Sequence, residues 1–153
     1  MHVDDDQIEK QIELKAPLSR VWRALTDYRE FSDWFGVKLE KPFLPGQTSQ
    51  GQITIPGYEH IRVEVEVQKM EEGKLFSYTW HPYAVDPGVD YSQEPSTLVE
   101  FRLEQTAGGT LLTVRESGFG KLPAARRDEA FRMNDRGWAQ QMKDIQSHVE
   151  QTR

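Results

Sequence analysis

The stretch ESGFGKLPAARRDEAFRMNDRGWAQQMKDIQSHVE, residues 116–150, contains the element that decides the fold. It starts as the end of a strand-like segment, passes two glycines and continues as an amphipathic pattern from about Ala124 to His148. The pattern predicts one helix of about 25 residues, roughly 38 Å long at 1.5 Å per residue. Its apolar stripe, at helical spacing, consists of Phe131, Trp138, Met142, Ile145 and Val149. Its charged face is predicted to meet solvent and consists of Arg126, Arg127, Asp128, Glu129, Asp144 and Glu150.

Gly137 stands directly before Trp138 inside this helical pattern. Glycine costs a helix about 1 kcal/mol relative to alanine. We expect the helix to bend there, or a strand to approach it closely, so that Trp138 swings toward the sheet. The alternative is that Gly137 faces solvent, where its cost is small.

Two short helices are predicted after a first strand at residues 7–15. The first covers residues 17–26, where apolar residues recur at helical spacing. The second follows Asp27, which forms with Glu30 the pattern of a capping box. It ends at Gly36, because glycine commonly terminates helices.

The middle of the chain has the pattern of an antiparallel sheet. In its clearest segment, residues 58–70, valines and isoleucines alternate with charged residues, which indicates one buried and one solvated face. The segment at 81–95, rich in Pro, Gly and Asp, is predicted to be a long loop that acts as a lid or a subunit contact. The other predicted strands are 47–55, 75–80, 97–105 and 110–117.

This order of elements predicts an α+β fold. A curved antiparallel sheet wraps around the long C-terminal helix, which is the one predicted element long enough to cover the apolar face of the sheet. The 153 residues are expected to form a single domain, 1–153, with its core at about 7–150. A curved sheet around one helix leaves unfilled space, and aromatic residues along that space predict a ligand pocket.

Composition excludes several classes of function. The net charge of −6 argues against nonspecific binding to nucleic acid or anionic membranes. The sequence has no apolar run of the roughly 18 residues that a membrane span needs, and MHVDDDQ lacks the features of a signal peptide. The absence of cysteine excludes disulfides, thiol nucleophiles and zinc–thiolate sites. We expect a cytoplasmic protein without nucleic-acid or membrane partners.

Four motifs in order carry a family resemblance: APLSRVWRALTDYREFSDWFG at 16–36, FSYTWHP at 76–82, ESGF at 116–119, and GW followed by MKDI at 137–145. With them the chain, over about residues 7–150, resembles the activator-of-Hsp90-ATPase-like branch of the START/Bet v 1-like (SRPBCC) superfamily. The resemblance implies the helix-grip fold, with two short helices after the first strand. Similar members include uncharacterised bacterial proteins, binders of hydrophobic ligands, proteins that sequester toxic natural products, and polyketide aromatase/cyclases. Eukaryotic relatives that stimulate Hsp90 also carry a separate N-terminal domain, for which this chain has no room.

Aromatic residues dominate the predicted pocket. For any one of them the alternative is ordinary core packing, but those near element ends or on the closing helix are better placed to contact a ligand. The predicted lining residues are Trp34, Phe35, Tyr78, Trp80, Phe101, Glu116, Phe119, Trp138 and Met142.

Glu116 is the most informative carboxylate of this set. By strand alternation it points to the same side as Leu112 and Val114, which is the core side. A buried carboxylate without a partner has a raised pKa and can bind or protonate a ligand. Arg62 lies on the opposite face from Val63 and is not an obvious partner. The alternative is that the strand twists before Ser117, so that Glu116 reaches solvent.

No metal site, cofactor site or nucleophile is predicted. His81 with Asp86 and Asp90 does not have a recognised ligand spacing. The other histidines are expected in solvent, on the wet face of a strand or near the termini; they are His2, His60 and His148. The sequence has neither a phosphate-binding glycine loop nor a G-x-S-x-G motif.

The leading functional hypothesis is binding of a small hydrophobic molecule between sheet and helix, without catalysis, with Glu116 or Tyr78 orienting it. One alternative is a cyclase- or hydratase-like enzyme that uses a pocket carboxylate or histidine as general acid/base. Another is a chaperone-related protein-interaction module with a filled core. Exposed aromatics in the loop at 81–95 also make a homodimer possible.

Overall fold

In the computed structural model, residues 6–86 and 88–151 are described, and they contain seven strands and three helices. The strands are β1 (Gln7–Leu14), β2 (Val37–Leu39), β3 (Thr48–Ile53), β4 (Arg62–Glu71), β5 (Leu75–Trp80), β6 (Thr97–Thr106) and β7 (Gly109–Ser117). The helices are α1 (Leu18–Thr26), α2 (Tyr28–Phe35) and α3 (Ala124–Gln151). A short 3₁₀ turn, Phe119–Lys121, joins β7 to α3.

All seven strands of the described chain pair in one antiparallel sheet, in the order β1-β7-β6-β5-β4-β3-β2. The register aligns one row of residues across five of these strands: Val67, Tyr78, Val99, Glu116 and Ile8. Every member of this row is at most 2% exposed. The sheet therefore places a single carboxylate in an otherwise uncharged row that faces the core.

Helix α3 covers this face, as its stripe predicts. Trp138, Met142, Ile145 and Val149 are all at most 4% exposed. Phe131 is only partly buried and packs edge-on against Phe119, with ring centroids 5.2 Å apart. The predicted α+β helix-grip fold, with a curved sheet around one long helix, is confirmed.

The start and the end of α2 are as the sequence predicts. The Asp27 side chain accepts a hydrogen bond from the Arg29 N–H at 2.9 Å, which caps α2. Gly36 ends α2 with a left-handed φ of 88°, a conformation that glycine adopts without a steric penalty. Strand β2, which follows at once, was not predicted, because three residues are too few to show a period. Strand β4 begins at Arg62, later than predicted.

The predicted role of Glu30 in a capping box is wrong. Instead of reaching back to the cap, Glu30 accepts hydrogen bonds from Arg20 at 2.6 Å and Arg23 at 2.7 Å, and lies 2.9 Å from His148 Nε2. Burial raises the pKa of Glu30, but hydrogen bonds from His148 and Arg20 and the charges of Arg20 and Arg23 outweigh burial and lower it. The prediction of a solvated His148 is also wrong, since it joins α3 to α2; His2 lies outside the described residues.

The close approach of a strand that the sequence predicts at Gly137 is not found. Gly137 lies on the exposed face of α3, and a Cβ built there would meet no atom within 4 Å. The helix runs through this position without interruption. Trp138 is buried because of its own position on the helix, and the glycine brings no packing advantage.

Candidate functional site

A pocket of about 620 Å³ opens at one end of the sheet. Residues 53–64, from the end of β3 to the start of β4, supply one wall, and the end of β5 with the loop through residue 92 supplies the opposite wall. Phe35 of α2 and Asn134 of α3 complete the lining. We call this cavity the mouth pocket, because it lies beside the space between sheet and helix.

Most of the large apolar side chains that are exposed to solvent line the mouth pocket. Within the described residues, four large hydrophobic side chains are exposed, and three of them line it: Tyr58 at 47%, Val89 at 44% and Ile55 at 40%. The fourth, Leu44, lies elsewhere. A cluster of this kind marks a binding surface more often than scattered exposure does.

A cluster of aromatic rings adjoins the mouth pocket. Phe35 and Trp80, which both line it, have ring centroids 6.0 Å apart. Each lies close to Trp138, at 6.1 Å and 6.0 Å respectively. Phe101 also packs against Trp138, with ring centroids 5.7 Å apart, so rings occupy the gap between the sheet and α3.

Glu116 is held inside this cluster by four donors. Its Oε1 accepts from Asn134 Nδ2 at 2.9 Å and from Trp138 Nε1 at 2.8 Å. Its Oε2 accepts from Trp80 Nε1 at 2.7 Å and from Thr97 Oγ1 at 2.5 Å. The side chain is fully buried, so the prediction that it points to the core is confirmed.

The charge of Glu116 has no cationic partner among the described residues. Burial raises the pKa of Glu116, while hydrogen bonds from Thr97, Trp138, Trp80 and Asn134 act in the opposite direction. Arg62, as expected, is not its partner; it donates to Glu40 at 2.7 Å. Four neutral donors thus do the work that a counter-ion does in an ordinary buried ion pair.

Tyr78 lies deeper than a ligand-orienting group should. Its side chain is fully buried, and its hydroxyl has no hydrogen-bond partner within the described part of the chain. Burial raises the pKa of Tyr78 well above its ordinary value, and the charge of Glu116 adds to this effect. It is not part of the mouth pocket lining.

The predicted lining residues divide into two groups. Phe35 and Trp80 line the mouth pocket, and Glu116 lies behind Trp80 and Asn134. The remaining residues are buried in the core; they are Trp34, Tyr78, Phe101, Phe119, Trp138 and Met142.

Sequence reasoning missed much of the actual wall. Ile55 and Tyr58 flank a Pro-Gly turn, and no period marks them as part of a site. Asn134 carried a usable signal, because it lies four residues before Trp138 and therefore on the same face of α3.

Arg126 anchors the loop that forms one wall of the mouth pocket. It donates to both carboxylate oxygens of Glu94 at 2.8–3.2 Å, and to the carbonyl oxygens of Pro82 and Tyr83 at 2.9 Å. Its guanidinium also lies 4.7 Å from the centre of the Tyr91 ring. The prediction that Arg126 faces solvent is therefore wrong.

The described residues contain neither a metal-binding cluster nor a helix that could span a membrane. No group of three or more His, Asp or Glu side chains there is placed to hold a metal ion. His60 is exposed, and the Nδ1 of His81 is buried with no hydrogen-bond partner in residues 6–86 and 88–151. No helix of the described chain is long and apolar enough to cross a membrane.

The fold and site define a helix-grip protein with an aromatic core and an open mouth. Residues 15–150 match the model of the Activator of Hsp90 ATPase homolog 1-like protein family, and the chain belongs to that family. No curated protein matches the chain.

Solved structures share this fold. Protein MLL2253 from Mesorhizobium loti is 24% identical, with a TM-score of 0.76 over 96% of this chain and 98% of that one. The Aha1 dimer from Colwellia psychrerythraea is 17% identical, with a TM-score of 0.70 over 94% and 96%. DynU16, from the dynemicin biosynthetic locus, is 24% identical, with a TM-score of 0.72 over 95% of this chain and 47% of its own. At these identities the likeness concerns the fold alone.

Proposed function

We propose that this protein binds a small, largely apolar molecule in the mouth pocket, without catalysis. The observation that carries the proposal is the clustering of Ile55, Tyr58 and Val89, three exposed apolar side chains, around a cavity of about 620 Å³. That volume lies within the range of small-molecule sites, roughly 300–1,000 Å³. A ligand there would cover apolar surface that the protein otherwise leaves in water.

The proposed location differs from the one expected from sequence. The space between the sheet and α3 holds packed rings, with Phe101 and Trp138 5.7 Å apart, whereas the cavity lies beside it. Phe35 and Trp80 belong to both regions and would form the contact between ligand and core.

The geometry of Glu116 favours binding over general acid/base catalysis. Each of its oxygens already accepts two hydrogen bonds, and the residue is not part of the pocket lining. An acid or base must come within hydrogen-bond reach of the reacting atom. Catalysis by Glu116 would require the network to open.

Native mass spectrometry of the freshly purified protein, followed by denaturing extraction and by titration with the neutral dye Nile red, tests the proposal. We expect either a reproducible adduct of small-molecule mass or saturable uptake of Nile red. A clean apo mass combined with no dye uptake would overturn the proposal.

Matched variants locate the binding. Val89→Asp and Tyr58→Asp place a charge on the pocket wall and should abolish the adduct or dye uptake. Leu44→Asp makes the same change at an exposed apolar residue outside the pocket, 50% exposed, and should leave binding intact. Unchanged binding in Val89→Asp and Tyr58→Asp would show that the ligand binds elsewhere, and equal losses in all three variants would show that the loss does not come from the pocket wall.

A further inference from the structure

Asn134 is the polar group that connects the mouth pocket to the buried carboxylate. It projects from α3, is half-buried and forms part of the pocket lining. Its Nδ2 donates to Glu116 Oε1 at 2.9 Å, beside the bond that Trp138 makes to the same oxygen.

The carboxylate determines which way the Asn134 amide faces. An ionised carboxylate can only accept hydrogen bonds, so with Glu116 ionised the amide nitrogen points toward Glu116 and the carbonyl oxygen away from it. In the described part of the chain, Asn134 Oδ1 has no hydrogen-bond partner, and the atom is not fully buried. This oxygen is therefore an unused acceptor in a residue that lines the pocket.

The negative charge around Asn134 Oδ1 favours a ligand group that donates a hydrogen bond over an anionic ligand group. A hydrogen bond from the amide nitrogen to a carboxylate polarises the amide and strengthens its oxygen as an acceptor. Glu64 and Asp86 add negative charge to the pocket lining, while the guanidinium of Arg62 is held by Glu40 at 2.7 Å.

We infer that the ligand is a neutral aromatic molecule bearing a hydroxyl or N–H group, with its ring against Phe35 and Trp80 and its donor on Asn134 Oδ1. The inference rests on the proposed function and adds the chemical class of the ligand. Glu116 acts here as a positioning residue, because it orients the amide without lining the pocket.

Competition with Nile red tests the inference, using 2-naphthol, 2-fluoronaphthalene and 2-naphthoate as probes. The first two have nearly the same shape and differ in the donor. Their affinity ratio is measured in the wild type and in Asn134→Leu, which lacks the acceptor. Comparing the two ratios cancels the difference in hydrophobicity between the probes. We expect the advantage of 2-naphthol to fall roughly threefold to tenfold in Asn134→Leu, the worth of one hydrogen bond.

Two controls keep the result interpretable. Gln140→Leu removes an exposed amide of the same helix outside the pocket and should leave the ratio unchanged. If Asn134→Leu does not fold, NMR of the wild type replaces it: the Asn134 side-chain amide resonances should shift on addition of 2-naphthol and not of 2-fluoronaphthalene.

The outcomes separate the inference from the proposed function. An unchanged ratio, or in the NMR experiment equal shifts with both probes, would overturn the donor contact while leaving apolar binding intact. Binding of 2-naphthoate as tight as that of 2-naphthol would overturn the preference against anions. If neither Nile red nor any probe binds and the native mass spectrum shows no adduct, the proposed function fails and the inference fails with it.

Discussion

The two aromatic regions of this protein meet at Trp80 and differ in how their polar groups are satisfied. In the inner region, formed by Trp80, Phe101 and Trp138 around Glu116, each carboxylate oxygen accepts two hydrogen bonds. In the mouth pocket, the rings line a cavity, and Asn134 Oδ1 is left without a partner among the described residues. The same residue types thus contribute to stability where their polar groups are hydrogen-bonded and their rings are packed. Where a polar group lacks a partner and the rings line a cavity, they are available to bind a ligand.

The largest effect should follow removal of the carboxylate that organises the inner region. Glu116→Leu leaves four donors without an acceptor, including the indole N–H groups of Trp80 and Trp138. Two of these donors, on Thr97 and Trp138, belong to buried residues. Because an unsatisfied buried donor costs about 1–3 kcal/mol, the free energy of unfolding should fall by about 2–6 kcal/mol. Chemical denaturation measures this loss.

The matched control is Glu104→Leu, at an exposed position on the neighbouring strand β6. That change should alter the free energy of unfolding by no more than about 0.5 kcal/mol. Similar losses in both variants would mean that the Glu116 network does not organise the inner region.

Titration of Glu116 provides a second way to test the inner region. Burial raises its pKa above the ordinary value of 4.5, so the folded protein holds this proton more tightly than the unfolded chain does. Its contribution to stability is complete below the unfolded pKa and is lost as pH rises through the folded pKa. The free energy of unfolding of the wild type relative to Glu116→Gln should therefore fall with rising pH, by at most about 1.4 kcal/mol per pH unit.

Urea denaturation of the wild type and of Glu116→Gln across pH 4.5–8 measures this difference. A difference that stays flat, or that grows with pH, would contradict a raised pKa. Glu30, whose pKa is lowered, acts in the opposite sense at lower pH and is present in both proteins, so it cancels.

The wall of the mouth pocket should respond to loss of its anchor. Arg126→Met keeps an unbranched apolar stem but removes the guanidinium and its bonds to Glu94 and to the carbonyl groups of Pro82 and Tyr83. We expect a loss of about 1–2 kcal/mol in the free energy of unfolding, with faster amide exchange confined to the loop at 81–95.

Arg132→Met, at an exposed residue of the same helix, is the control and should change neither quantity. Faster exchange spread evenly over the sheet would show that Arg126 supports the whole fold rather than this wall.

The smallest effect is expected at Gly137, which belongs to neither region. Gly137→Ala should stabilise the protein by about 0.5–1 kcal/mol, because alanine is the better helix former and a Cβ there meets nothing within 4 Å. Thermal denaturation measures the gain. Gly51→Ala is the contrasting variant, since its Cβ would lie 2.5 Å from the carbonyl oxygen of Lys38, and it should destabilise. A loss of stability in Gly137→Ala would instead support the close approach that the sequence predicts at this position.

Local patterns determined most of the fold. Period-two alternation located the strands, and period 3.6 with the cap at Asp27 and the stop at Gly36 located the helices, because these signals depend on a few neighbouring residues. Alternation also determined that Glu116 points to the core. Strand β2 was missed because three residues show no period.

Tertiary structure alone decided the rest. It decided that the rings between sheet and helix pack together, that residues 53–64 and 80–92 enclose a cavity beside them, and that four donors from β5, β6 and α3 meet at one carboxylate. Residues separated by 18–36 positions make those four bonds, and no local period records which distant side chains will meet. Cavity position depends on how tightly whole elements dock, which the packing of all side chains sets together.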